Sequence, residues 1–225
     1  MSSCRSAAVI LAAGASTRHG GSPKALLSYD GRTIIETVVA KAREAGLSPL
    51  VVVVSENADA VREKLSRSDG PPDRIIVNPF AAEGIGGSVA VGVGAAMTED
   101  VDAVSVLLGD EPGIEVHSIR YVVREWCRRR SSALRAWYAD RPGHPVVLSR
   151  SVFPLVVSLP STASVLAELA KADREVGTVV LASRAPIDVD TAEDYERMLR
   201  LSPRAPSVPA GTLPNADGPR ESRRP

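Results

Sequence analysis

The sequence predicts an α/β domain built on a mostly parallel sheet, and three observations predict it. Over the first two hundred residues, short β-branched apolar runs alternate with longer stretches of helical periodicity, the pattern of βαβ units. The apolar run at 50–54 is unbroken, as expected of a strand covered on both faces, and 103–108 reads as a further buried strand. With 225 residues and 44% apolar composition the chain can bury one sizeable core, whereas two full domains would be cramped.

The first strand is expected over 7–13. Thr33 and Glu36 have the spacing of a capping box, and they open a helix in which Ile34, Ile35, Val38, Val39 and Ala42 recur at helical intervals until Gly46 ends it. A strand follows over 50–54, Asn57 is placed to cap a helix running to about residue 65, and 74–77 form a short third strand. Residues 88–97 read as a helix although Gly92 and Gly94 each weaken it by roughly 1 kcal/mol relative to alanine; close approach to the sheet accounts for them. The strand over 103–108 ends in GDEPG and leads to a helix reaching about residue 130. The Arg128, Arg129, Arg130 run at its end is read as a solvated terminus, where the helix dipole favours cations, and not as a binding patch. Strands near 133–139 and 145–148, a helix near 163–172, a strand over 178–182 and a last helix from 191 complete a domain spanning 1–201. Residues 202–225 turn to proline, alanine, serine, glycine and arginine with almost no large apolar side chains, a tail that cannot bury enough surface to order itself.

Charge excludes some function classes. Lys and Arg number 27, as do Asp and Glu, so no overall field draws the chain to nucleic acid or to an anionic membrane, and any anion site is local. The N-terminal apolar run is too short to span a bilayer, and because it feeds directly into a glycine-rich loop it fits a signal peptide poorly. Cys4 and Cys127, one at the terminus and one in a basic helical stretch, imply neither a disulfide framework nor a thiolate metal site, so a cytoplasmic, reducing location is the default expectation.

The chemistry concentrates where strands end. The first strand runs into LAAGASTRHGGSPK, residues 11–24, and ligands of open α/β sheets bind outside the carboxyl ends of strands. Leu11, Ala12, Ala13 and Gly14, with Gly20 and Gly21 further on, let backbone amides turn toward phosphate oxygens. Arg18 supplies a planar fork and Lys24 a point charge. The letters match neither GxxxxGK[ST] nor GxGxxG. The bland alternative is a turn rich in small residues. Asp110, in GDEPG, leaves a buried strand at the same edge and suits Mg²⁺, which takes one or two protein carboxylates beside water and phosphates; a plain turn is the alternative.

LAAGASTRHGGSPKALL resembles the signature loop of MobA-like nucleotidyltransferases, particularly molybdenum cofactor cytidylyltransferases, whose pattern is close to LAAGxSxRMGxPKxLL. His19 replaces the usual methionine, and one extra residue separates Arg18 from Pro23. GDEP is similar to the family's GDQP with Glu111 for glutamine. PIDVDTAEDY is similar to DIDTPED, which implies that Asp190, or else Asp188, completes the Mg²⁺ site; a helix start at Thr191 and Asp194 explains these acids equally well. EGIGGSVAVGV is similar to EGMGSSLRAGV, a stretch that contacts base and ribose, which assigns Gly84, Gly86, Gly87 and Ser88 to the nucleotide; Ser88 as a helix cap is the alternative. RPGHP matches the GHP motif, which implies that Arg141 and His144 face the acceptor.

The resemblance covers about residues 7–200 and implies a Rossmann-like three-layer α/β/α nucleotidyltransferase fold. It also implies transfer of a nucleoside monophosphate from an NTP to a phosphorylated acceptor with release of pyrophosphate. LAAG together with GDEP favours CTP and a molybdopterin-type acceptor, with a molybdoenzyme as client. A phosphate monoester is already ionised at neutral pH, so catalysis reduces to positioning and charge neutralisation by Arg18, Lys24 and Asp110. A sugar-phosphate nucleotidylyltransferase and a non-catalytic accessory protein for molybdoenzyme maturation are the alternatives.

Overall fold

The structure, a computed structural model, describes residues 4–14 and 23–201. The loop segment 15–22, with Arg18, Gly20 and Gly21, and the tail 202–225 lie outside the described residues. The strands are β1 (Ser6–Ala12), β2 (Ser28–Tyr29), β3 (Arg32–Thr33), β4 (Leu50–Ser55), β5 (Arg74–Asn78), β6 (Ala103–Leu108), β7 (Ala133–Trp137), β8 (Pro142–Ser149) and β9 (Val176–Val180). The helices are α1 (Ile34–Glu44), α2 (Asp59–Ser66), α3 (Ile85–Ala96), α4 (Val116–Arg129), α5 (Phe153–Ser158), α6 (Val165–Lys171) and α7 (Ala192–Leu201). Seven strands form one sheet in the order β5-β4-β1-β6-β8-β7-β9, and β2 pairs with β3 in a separate hairpin. Strands β5, β4, β1 and β6 run parallel, as do β7 and β9, while β8 is antiparallel to both neighbours.

Alternation along each strand builds the three layers. In β1, Val9 and Leu11 join Val89 and Val93 of α3 and Phe153 and Val156 of α5 on one face. Ala8 and Ile10 join Ile35, Val38 and Val39 of α1 and Val61 and Leu65 of α2 on the other. At the far end of the sheet, Trp126 of α4 is buried against Leu134 and Val147, and its indole N–H donates to Ser131 O at 2.9 Å. The capping box of α1 is complete: Thr33 Oγ1 accepts from the Glu36 N–H, and the Thr33 N–H donates to Glu36 Oε2 at 2.9 Å. Gly46, at φ 89°, follows α1 in the left-handed region where a side chain would be strained.

Gly92 is required by packing. A Cβ added there would lie 2.3 Å from Val9 Cγ1, so the helix rests its backbone on the sheet. Gly94 has only an ordinary contact, 3.8 Å from Val157 Cγ2, and the close-approach expectation fails for it. Asn57 does not cap α2: the helix starts later, after Ala58, with no side-chain cap, and Asp59 in the first turn provides the favourable charge. Helix α5 and the β2–β3 hairpin were not anticipated, since six and two plus two residues carry too little periodicity to read. The arginine run behaves as a helix end, with Arg128 bonded twice to Glu125 at 2.9 Å and Arg130 over the Trp126 ring.

The cysteine expectation is overturned. Cys4, just ahead of β1, is disulfide-bonded to Cys127 on α4, with a Cα–Cα distance of 6.0 Å across 123 residues of sequence. Both flank the Trp126 cluster, where the start of the sheet's central strand and the covering helix meet. Spacing alone carries no trace of that meeting, and the disulfide removes the support on which a reducing location rested. No helix among the described residues is long and apolar enough to cross a membrane.

Candidate active site

Strands β1 and β6 lie side by side and end together, Leu11 pairing with Leu108. The Gly109 N–H continues the ladder by donating to Leu11 O at 2.8 Å, and a Cβ on Gly109 would come within 3.0 Å of that same oxygen. A side chain there would be crowded against the end of β1, and Asp110 is delivered to the carboxyl edge beside that exit. Ala12 ends β1, Ala13 is buried, and Gly14 is exposed with open space around its Cα. Lys24, on the short 3₁₀ turn after the loop, reaches back to the same point.

Three charged groups converge there. Lys24 Nζ lies 2.6 Å from Asp110 Oδ2 and 2.8 Å from Asp190 Oδ1. The Val189 N–H donates to the Asp110 carbonyl at 3.1 Å, which ties the segment bearing Asp190 to the end of β6. Burial alone would lower the Lys24 ammonium, but the charge and hydrogen bonds of Asp110, and then those of Asp190, outweigh it and hold Lys24 above its ordinary value. It therefore carries its full charge at neutral pH. Two carboxylates aimed at one cation fit a divalent ion of the Mg²⁺ kind, which takes one or two protein carboxylates and completes its shell with water and phosphate. Among the described residues no group of three or more His, Cys, Asp or Glu is arranged to hold a metal, so a cation at this pair would need other donors to complete its shell.

Asp188 does not join this pair. It is ion-paired with Arg141 at 3.0 Å, and Arg141 also donates to the Pro186 carbonyl at 2.7 Å, so the arginine fastens the 186–188 segment. Beneath them Glu111 is 2% exposed, and its Oε2 has no hydrogen-bond partner. Burial first, then the hydrogen bond and charge of Asp188, push the Glu111 carboxyl up to about 10, so it is neutral at pH 7. Glu111 was noted only as a substitution for glutamine. A protonated carboxyl has the shape and neutrality of that amide, and burial was the signal the letters did not carry.

The glycines at the start of α3 serve a protein contact. A Cβ on Gly84 would meet Ser161 O at 2.6 Å, one on Gly86 would meet Ala163 O at 2.5 Å, and the Gly87 N–H donates to Ser161 O at 3.2 Å. Their close approach is to the 160–163 loop, and the Gly87 amide has its partner within the chain. Ser88 neither caps α3, whose N-cap is Gly84, nor faces outward. It is buried and its Oγ accepts from Asn78 Nδ2 at 3.0 Å, because the helix begins earlier, at Ile85, and carries Ser88 inward. The Thr191–Asp194 pair forms a capping box for α7, Asp194 N–H donating to Thr191 Oγ1 at 3.1 Å, while Asp190 just before it turns to Lys24.

His144 stands at the start of β8. Since β8 runs against β6, its beginning lies at the edge where β6 ends. Burial, then the neighbouring Arg135 charge, push the His144 imidazole down to about 4, so it is neutral and acts as a hydrogen-bonding group without charge. Its carbonyl accepts from Tyr138 Oη at 2.6 Å. The structure thus brings Lys24, Asp110 and Asp190 together, sets Asp188, Arg141 and His144 beside them, and gives Gly84, Gly86, Gly87 and Ser88 other partners.

Comparison with known proteins places most of the chain in one family. Residues 8–180 match the MobA-like NTP transferase domain. The nicotine blue oxidoreductase of Paenarthrobacter nicotinovorans is 38% identical over 155 residues, 67% of this chain and 74% of that protein. The molybdenum cofactor cytidylyltransferase of Escherichia coli is 25% identical over 187 residues, 83% and 92% of the two chains. The crystal structure of the manganese complex of Rv0371c from Mycobacterium tuberculosis superposes with a TM-score of 0.72 at 29% identity, covering 88% of this chain and 100% of that one.

Proposed function

We propose, from the premise that this chain belongs to the MobA-like NTP transferase family and is a nucleotidyltransferase of that kind, that it moves a cytidine monophosphate unit from CTP to a phosphorylated, molybdopterin-type acceptor with the help of a divalent cation. The observation that carries this reading is the meeting of Asp110 and Asp190 on the Lys24 ammonium at the exits of β1 and β6. The manganese bound by the Mycobacterium tuberculosis neighbour and the name of the Escherichia coli relative supply the cation class and the substrates. Mg²⁺ is the cation proposed.

The two aspartates would hold the cation, which supplies positive charge beside the α-phosphate when bound. Lys24, released from them, carries its charge to the β- and γ-phosphates and steadies the departing pyrophosphate. Arg18 takes part from the loop. Backbone amides of residues 11–14 orient the triphosphate. The acceptor phosphate arrives ionised, so no side chain has to remove a proton from it, and Glu111, neutral and buried, stays outside the proton bookkeeping. Neutral His144 and Arg141 line the approach from the β8 side and orient the acceptor.

The test is to supply purified protein with Mg²⁺, each NTP in turn and candidate acceptors, and to measure pyrophosphate. CTP-dependent release that Asp110→Ala abolishes supports the proposal; release unaffected by that substitution overturns it. The 38% identity to a protein named as an oxidoreductase favours one second reading, turnover of an organic substrate by redox chemistry on the same scaffold. That reading predicts no pyrophosphate with any NTP, and acceptor-dependent consumption of an added nicotinamide cofactor.

A further inference from the structure

Next to the Lys24 site, on the face of the sheet covered by α3, α5 and α6, lies a cleft of about 330 Å³. Its walls are aliphatic: Leu11, Val89, Val106, Val146 and Leu166 come from β1, α3, β6, β8 and α6. Arg135 and His144 also line it, with the Thr162 and Ser164 side chains on the loop before α6. Alternation along β7 explains the arginine. Leu134 and Ala136 pack under α4 on one face, so Arg135 must point to the other, where Ala133, Val146 and Leu148 form the floor.

Arg135 is out of keeping with those walls. Among the described residues it forms no ion pair, and its Nε is buried without a hydrogen-bond partner. A guanidinium is retained in apolar surroundings at a cost that a bound anion offsets, and an orphaned buried donor marks where a partner belongs. His144 beside it is held neutral, so Arg135 is the cation this cleft presents. Leu11, whose carbonyl accepts from the Gly109 N–H, also lines the cleft, so the cleft reaches the edge from which Asp110 emerges.

We propose that this cleft is the acceptor's specificity pocket, that it takes a compound with a flat, ring-sized body laid against the aliphatic walls, and that Arg135 selects those bearing an anionic group. The inference rests on the nucleotidyl-transfer reading for its role and deepens it by naming the substrate class. An unadorned sugar phosphate, with a ring of hydroxyls set against Leu11, Val89, Val106, Val146 and Leu166, is a poorer occupant. Arg135 is a specificity-determining residue here and not a participant in bond formation.

The probes are 2-naphthoate and its neutral isostere 2-naphthamide, titrated calorimetrically into the full-length protein. Wild type is expected to bind the naphthoate about tenfold or more tighter than the amide, a typical discrimination for a desolvated charged hydrogen bond. Arg135→Gln is expected to bind both alike. Ile85→Glu, at an exposed position on the cleft rim, keeps the packing and is expected to weaken naphthoate at least several-fold by like charge. Naphthoate affinity within twofold of wild type in Arg135→Gln overturns the proposal, as does displacement of naphthoate by Mg·CTP, which would make the cleft part of the nucleotide site. Mg·CTP binding is measured separately: its absence with intact naphthoate discrimination would refute nucleotidyl transfer while leaving the anion-selective cleft standing.

Discussion

Removing the Lys24 charge should tighten metal binding in the nucleotide-free protein even as it destroys turnover. Lys24 Nζ sits 2.6 Å and 2.8 Å from the two carboxylate oxygens that a divalent cation would need. An ammonium remaining about 4 Å from such an ion would be repelled by about 8 kcal/mol at an effective dielectric of 20. The side chain escapes most of this by swinging away. What it then forfeits is its ion pairs, one with Asp110, whose side chain is 24% exposed, and one with Asp190, at 69%. A half-buried pair of this kind contributes roughly 1–3 kcal/mol, so the competition weakens the cation by about tenfold to a hundredfold. Lys24→Met removes the competitor at similar length and volume. Mn²⁺ binding, followed by loss of the free-ion paramagnetic resonance signal, should therefore tighten by that factor, while pyrophosphate release with CTP falls by at least about a hundredfold because an electrostatic contact to the phosphates is gone. Equal or weaker Mn²⁺ binding in Lys24→Met, in a protein that still unfolds cooperatively, would refute the idea that the lysine stands in the cation's place.

Three further outcomes follow from the same geometry. Asp190→Asn should weaken Mn²⁺ at least about tenfold, whereas Asp188→Asn, whose partners are Arg141 and Glu111, should leave it within about threefold; the reverse order would exchange their roles. His144 should titrate at about 4 in a pH series of imidazole NMR spectra. Because its folded value lies below its ordinary one, its contribution to stability is present above about 6.5 and is lost as pH falls toward 4, by up to roughly 1.4 kcal/mol per pH unit. His144→Gln should remove that slope from denaturant titrations, and an imidazole titrating near 6.5 would contradict the burial described above. Gly92→Ala should cost about 1–3 kcal/mol through the 2.3 Å approach to Val9 Cγ1, despite alanine's better helix propensity, and Val9→Ala should recover part of the loss in the double variant.

How far the letters reached depended on whether the deciding physics was local. The run at 103–108, the Thr33–Glu36 box and the Gly46 stop are short-range signals, and each is found where it was expected. Asp110 was legible because a carboxylate after a buried strand must emerge at the sheet's edge. The choice between Asp188 and Asp190 was not, since residues two apart in an extended segment share a face, and only the hold of Arg141 on Asp188 and the packing of Val189 against Asp110 decide which of them reaches Lys24. The glycines of EGIGG were assigned to the nucleotide, whereas the close approach they make within the chain is to the 160–163 loop, which no motif announces. Arg135 was silent for the same reason: inside a strand it looks like any polar alternate, and its isolation appears only when the aliphatic residues of five other elements gather round it.

The direction of a single strand organises the acceptor side. Had β8 continued the parallel order of β5, β4, β1 and β6, its first residues would lie at the opposite end of the sheet from Asp110. Because it runs against β6, with Val106 opposite Val146, the turn that precedes it brings Arg141 and His144 to the carboxyl edge. The same reversal puts β7 beside β8 with Arg135 opposite Val146, so that the arginine looks into the space left beyond β6. The exits of β1 and β6 thus define a charged site, the one proposed for phosphates and a cation, and the inserted strand adjoins it with a mostly aliphatic cleft one strand further along. In this sheet the reversal sets the aliphatic cleft and Arg135 beside the proposed phosphate site. For that reason the acceptor's chemistry is better sought in β7 and β8 than in the glycine-rich loop.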